Sequence, residues 1–116
     1  MPINEWSEDI LIAELSDEPS FSDDLGALIR RLDTKGKGPL PDIILNMGGV
    51  TYLNSSNIAQ LLRVRQMLVN AGRKLRLCAV RDQVWSVMLI TGLDKFFEFT
   101  GDVATSLASL QIGEAE

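Results

Sequence analysis

Apolar residues along this chain fall into two kinds of grouping, short unbroken runs and sets spaced by three and four, and the two kinds alternate. Ile10-Leu11-Ile12-Ala13 through Leu15 and Ile43-Ile44-Leu45 through Met47 are runs of strand length, and the stretch Lys74 to Val80 is a third. Each predicts a strand. A short segment near Ile3 to Trp6 is placed to pair with the first. Leu25, Leu28, Ile29 and Leu32 recur at one-face helical spacing, and Ile58, Leu61, Leu62, Leu68 and Val69 mark a second helix. Ser22 stands where the first helix would be capped, with Asp23 and Asp24 in its first turn and Arg30 and Arg31 in its last. Asp82 and Asp102 stand before two further helices, one running through Ile90 and one through Val103, Leu107 and Leu110.

The breakers fall between these segments. Lys35 to Pro41 reads as a loop and Gly48-Gly49 as a turn, followed by a short apolar continuation, Val50 to Leu53. Gly72 and Gly92 are placed to close the second and third helices in the left-handed conformation. Phe96, Phe97 and Phe99 predict a last strand whose rings split between two faces. Strands alternating with helices argue for an α/β fold, a sheet with helices packed against it, whose parallel part needs helical crossovers. A chain of 116 residues forms one domain, residues 1–116, with 113–116 expected to fray.

Asn54-Ser55-Ser56-Asn57 lies where the apolar run gives way to the second helix. On the residues alone it has two readings. It is what an ordinary Ser/Asn N-cap looks like. It is also a place where a hydroxyl is held beside unpaired backbone N–H groups, where negative charge or a phosphate is favoured.

Four pieces in order resemble a STAS domain, the module shared by bacterial anti-sigma factor antagonists and the cytoplasmic tails of sulfate transporters. They are Asp42 to Asn46 with Val50 to Leu53, then Asn54 to Asn57 where the family writes Asp-Ser-Ser-Gly or Asp-Ser-Thr-Gly, then Lys74 to Val80, and finally Leu89 to Phe97 with its Thr-Gly-Leu and aromatic strand. Glu14-Leu15-Ser16-Asp17 is a looser match to the family's Gly-Glu-Leu-Asp. The resemblance implies a mixed sheet of about four or five strands with about four helices packed on one side. It also implies a phosphoacceptor at Ser55, with Ser56 as second candidate, modified by a histidine-kinase-like serine kinase that is itself the anti-sigma factor and reset by a serine phosphatase. Unphosphorylated, such a domain docks on the anti-sigma factor and frees the sigma factor. Asn54 and Asn57 depart from the family's Asp and Gly. The first removes a carboxylate beside the hydroxyl, and the second puts a side chain where a bare backbone would let a kinase approach closely. STAS domains also serve as non-switching docking subunits of lipid-transport ABC systems or as signalling scaffolds, and neutral residues at these two positions are compatible with that.

Composition narrows the chemistry. With no histidine the chain lacks the commonest general base and metal ligand, and Gly48-Gly49 lacks the lysine and spacing of a phosphate-binding loop, so no enzyme activity, cofactor or metal is expected. Cys78, the single cysteine, falls in a predicted buried strand and reads as a small hydrophobe. A net charge of −5 argues against nucleic acid, and no apolar stretch reaches membrane-span length, nor does the N-terminus resemble a signal peptide. A cytoplasmic protein without direct membrane insertion is expected. Between Ile43 and Arg81 there is no acid, while Arg63, Arg65, Arg73, Lys74, Arg76 and Arg81 are basic. The plain reading is a solvated helix face and a guarded strand edge; the alternative is a surface that steers an acidic partner. Arg63 and Trp85 therefore join Asn54 to Asn57 as candidate partner-binding residues, Trp85 being equally readable as buried, and Met88 reads as core.

Overall fold

A computed structural model describes residues 3–34 and 39–111. Five strands and four helices follow in the order β1 (Ile3–Ser7), β2 (Ile10–Ser16), α1 (Ser20–Thr34), β3 (Asp42–Gly49), α2 (Ser55–Asn70), β4 (Leu75–Cys78), α3 (Asp82–Thr91), β5 (Glu98–Thr100) and α4 (Val103–Gln111), with a 3-10 turn at Leu93–Lys95. The strands form one sheet in chain order. Strand β1 pairs antiparallel with β2, and β2, β3, β4 and β5 are mutually parallel, so the sheet is mixed. The segments at Lys35 to Gly38 and 113–116 lie outside the described residues.

Alternation along the strands sorts the core. Leu11, Ala13, Leu15, Ile43, Leu45, Met47, Leu75 and Leu77 face one side, where α1, α2 and α3 bury Phe21, Leu25, Leu28, Leu32, Leu61, Val64, Leu68, Val84 and Met88 against them. Ile10, Ile12, Ile44 and Cys78 face the other side and meet Leu110, Val103 and Leu107 of α4. The expectation of four helices on one side is therefore corrected: three lie on one face and α4 lies on the other. The reason is in β2, β3 and β4, which are apolar on both faces and need cover on both. Burial raises the Cys78 thiol to about 11, with the Asp102 carboxylate as a lesser cause, so it stays protonated in the core.

Local structure differs from the pattern at several places. Helix α1 starts at Ser20 rather than after Ser22, because the Glu18 carboxylate receives the Ser22 N–H at 2.9 Å and closes the first turn from outside. In α2 the buried stripe is Asn57, Leu61, Val64 and Leu68, and Val69, one residue around the helix, is exposed. Asp82 is the first residue of α3 instead of its cap; Arg81 holds that place without a side-chain bond. Gly48-Gly49 does not turn but ends β3, with Gly49 beside Ser16 and so close to Leu15 that a Cβ would lie 2.8 Å from its carbonyl oxygen. Strand β5 starts only at Glu98, after Phe96 and Phe97, while three other ends fall as expected. Gly72 and Gly92 have φ of 71° and 76°, and Asp102 caps α4 by accepting the Thr105 N–H at 2.8 Å.

Candidate functional site

Because β2 to β5 run parallel, their C-terminal ends meet at one pole, and the β3–α2 loop, the β2–α1 connection and the β4–α3 connection all emerge there. Arg81 fastens two of these by donating from Nε to the Gly48 carbonyl at 2.7 Å. Asp17 fastens a third. Its carboxylate accepts the Thr51 N–H at 2.8 Å and the Thr51 hydroxyl at 2.6 Å, fixing the loop that leads to α2.

Asn54 caps α2 from an extended backbone, φ −103° and ψ 177°. Its Oδ1 accepts the Asn57 N–H at 2.8 Å, and the Asn57 Oδ1 accepts the Asn54 N–H at 3.1 Å, a reciprocal capping box made by two asparagines. Ser55 and Ser56 are thus the first two helical residues. Both are exposed, and among the described residues neither hydroxyl has a hydrogen-bond partner. The reading of these serines as caps is corrected, since Asn54 already holds that position and the serine side chains are left on the surface.

Asn57 corrects a second expectation. It is 1% exposed and does not stand out where a kinase would approach. Its side chain turns inward, donating from Nδ2 to Glu18 Oε2 at 2.9 Å, because Glu18 offers an acceptor to its NH2 and the Asn54 N–H a donor to its oxygen. The same Glu18 carboxylate takes the hydroxyl and N–H of Ser22. One carboxylate therefore joins the starts of α1 and α2.

These bonds favour the ionised acids. The Thr51 hydroxyl, then its N–H, holds the Asp17 carboxyl below its usual range, and the Ser22 hydroxyl, then the Ser22 N–H and Asn57 amide, does so for Glu18. A depressed folded-state pKa means that the unfolded chain takes up protons first. The stabilisation is full above the unfolded-chain values of about 4 and is lost as pH falls through the lower folded values. Glu18→Gln should accordingly be less stable than wild type at neutral pH, with the gap in Tm narrowing as pH falls from about 5 to 3. A gap that stays constant would mean the charge of Glu18 is not what holds the two helices.

The remaining candidates do not converge. Arg63 faces α1, 3.5 Å from Asp33, while Trp85 packs edge-on against Phe99 of β5, with ring centroids 5.0 Å apart and about a third of its surface exposed. They engage opposite neighbours. Most of the basic run is similarly occupied: Arg65 donates to the Phe96 carbonyl, Arg73 pairs with Asp42 at 3.1 Å, and Arg76 is buried and pairs with Glu98. Strand β4 is also interior rather than an edge, so Arg76 guards nothing. Met88 is core, as the pattern predicted; of the three phenylalanines expected on the two faces of one strand, only Phe99, half-buried, lies in β5, while buried Phe97 and exposed Phe96 precede it. The site residues that pattern missed are Asp17, Glu18 and Thr51. Asp17 stood only in the loose Glu14-Leu15-Ser16-Asp17 match and nothing local marks Glu18; both lie more than thirty residues before the loop and are brought to it by the parallel pairing of Ser16 with Gly49.

The fold is shared widely. At 14% identity the chain superposes on a Thermotoga maritima protein assigned as an anti-sigma factor antagonist, with a TM-score of 0.78 over 95% of this chain and 93% of the other. An anti-sigma-factor antagonist (STAS) domain protein from Planctomyces limnophilus gives 0.78 at 15% identity, covering 94% and 96%. The Bacillus cell fate determinant SpoIIAA in its phosphorylated form gives 0.65 at 17% identity, covering 93% and 96%. No curated protein sequence matches the chain. The match to the family model is nonetheless nearly complete: with the STAS domain model spanning residues 3–108, from β1 into α4, and the capped loop of Asn54 at the pole of the same five-stranded sheet, the chain belongs to the STAS domain family.

Proposed function

We propose that this chain is a regulator of the anti-sigma factor antagonist type, which docks on an anti-sigma factor with kinase activity and is released when Ser55 is phosphorylated. The observation that carries the reading is the exposed Ser55 hydroxyl at the first position of α2, left unused because Asn54 supplies the cap. A phosphate there would add nearly two negative charges at a helix N-terminus, which the helix dipole tolerates, so the folded domain survives the modification. Docking does not survive it. The added charge lies at the tip of the contact surface, beside Asp17 and Glu18, and opposes any partner that had packed against a neutral hydroxyl. Ser56, equally exposed one residue on, is the second acceptor, and a serine phosphatase would reset the switch.

The contact surface in this reading is made by Asn54, Ser55 and Ser56, held from beneath by Asn57. Arg63, beside Asp33, and Trp85, packed on Phe99, are candidate contacts outside that patch. Intact-mass measurement and site mapping on protein from its native host, before and after phosphatase treatment, tests the switch. A phosphate on Ser55 is the expected result. A chain that stays unmodified across growth conditions would instead make the domain a constitutive docking subunit, in lipid transport or a scaffold.

A further inference from the structure

At the pole opposite Ser55 lies a second surface. The C-terminal half of α2, the start of β4 and the approach to β5 enclose a groove of about 170 Å³, in which Val69 and Phe96 are both half exposed. Arg65 lies across one wall. Its Nε donates to the Phe96 carbonyl at 2.6 Å and its guanidinium stacks over the Phe96 ring, 5.3 Å from the centroid. Lys74 is exposed on the other wall. Among the described residues neither Arg65 nor Lys74 pairs with a carboxylate, whereas the lining Glu98 is taken by Arg76. In a chain of net charge −5 this places two uncompensated cations around an exposed aromatic and an exposed valine.

We propose that this groove docks a short acidic segment of a partner protein, carrying one aromatic or aliphatic anchor between Asp or Glu residues. The anchor would enter between Val69 and Phe96 and the flanking carboxylates would meet Arg65 and Lys74, the sign of charge that the rest of this acidic chain disfavours. Helix α2 separates the groove from Ser55 by about 20 Å at 1.5 Å per residue, so a segment held here leaves the Ser55 pole free. The site would tether a partner regardless of the state of Ser55.

The test is an NMR titration of the isotopically labelled chain with a synthetic peptide, acetyl-Asp-Glu-Phe-Glu-Asp-amide. Shifts are expected at residues 65–75 and 96–98, with the Asn54 to Asn57 signals unmoved and with affinity falling as salt is raised. Lys74→Glu, at an exposed side chain that the fold does not use, should weaken the peptide about five- to tenfold, and Phe96→Ala similarly, while Ser55→Asp should change nothing. No shifts at millimolar peptide, or shifts indifferent to Lys74→Glu, would overturn the proposal. So would binding of the patch to phosphatidylglycerol vesicles without binding of the peptide, which would assign it to anionic lipid. The outcome is independent of whether Ser55 proves to be modified.

Discussion

Ser55→Asp should weaken binding to the cognate kinase or anti-sigma factor by about 1–3 kcal/mol, roughly 5- to 150-fold in Kd, through added charge and lost hydrogen bonding. The same substitution should leave the fold intact. Ser55 is exposed at the first position of α2 and its hydroxyl is not part of the capping box, so replacing it removes no internal bond. A carboxylate in the first turn of a helix that has no acid there is favoured by the dipole, by about 0.3–1 kcal/mol. Stability and affinity should therefore move in opposite directions, Tm unchanged or slightly raised while partner binding falls. Ser55→Ala should bind as wild type and resist phosphorylation. Equal affinities for wild type and Ser55→Asp in calorimetry would remove Ser55 from the docking surface, and a joint loss of Tm and affinity would mean the effect is structural.

Asn57→Ala should cost about 2–3 kcal/mol of stability, measured as a lower urea midpoint at unchanged slope. The magnitude follows from what the carboxamide does. It is 1% exposed, receives the Asn54 N–H and gives a hydrogen bond to Glu18, so its loss strands a backbone donor in a part-buried place and leaves Glu18 Oε2 with the Ser22 hydroxyl but without the amide. Asn57→Gly, the residue found in the family pattern, should cost about 1 kcal/mol more, because glycine adds backbone entropy to the same lost bonds. In this chain the departure from the pattern is thus a structural latch: the asparagine that replaces glycine reaches Glu18, and Glu18 reaches Ser22. An unchanged midpoint for Asn57→Ala would show that the latch does not hold the helix start.

Long, strongly patterned elements were legible in the sequence. The β2 and β3 runs, the α1 stripe of Leu25, Leu28 and Leu32, and the glycines closing α2 and α3 are local signals, each set by sterics or spacing within a few residues. Helix phase was less secure, and Val69 shows why. In a stretch with apolar residues at 61, 62, 64, 67, 68 and 69, a shift of one position turns the stripe by about 100°, and only the packing against the sheet chooses. The side of α4 was equally undetermined, since nothing in Val103, Leu107 and Leu110 states which face of the sheet they cover.

By itself the sequence determined that this is an α/β domain of the STAS type, and that two serines stand at the start of a helix after the central strand. Those properties depend on neighbours in the chain: hydrophobic period, turn residues and the order of short motifs. Which side chain would cap α2 and which would face a partner was decided only by tertiary structure. Asn54, Ser55, Ser56 and Asn57 all have the chemistry of a cap, and each could have turned in or out. Glu18, brought to the loop by the parallel register of β2 and β3, offered a carboxylate that drew the Asn57 amide inward, while Asn54 took the cap and the serine hydroxyls were left to solvent.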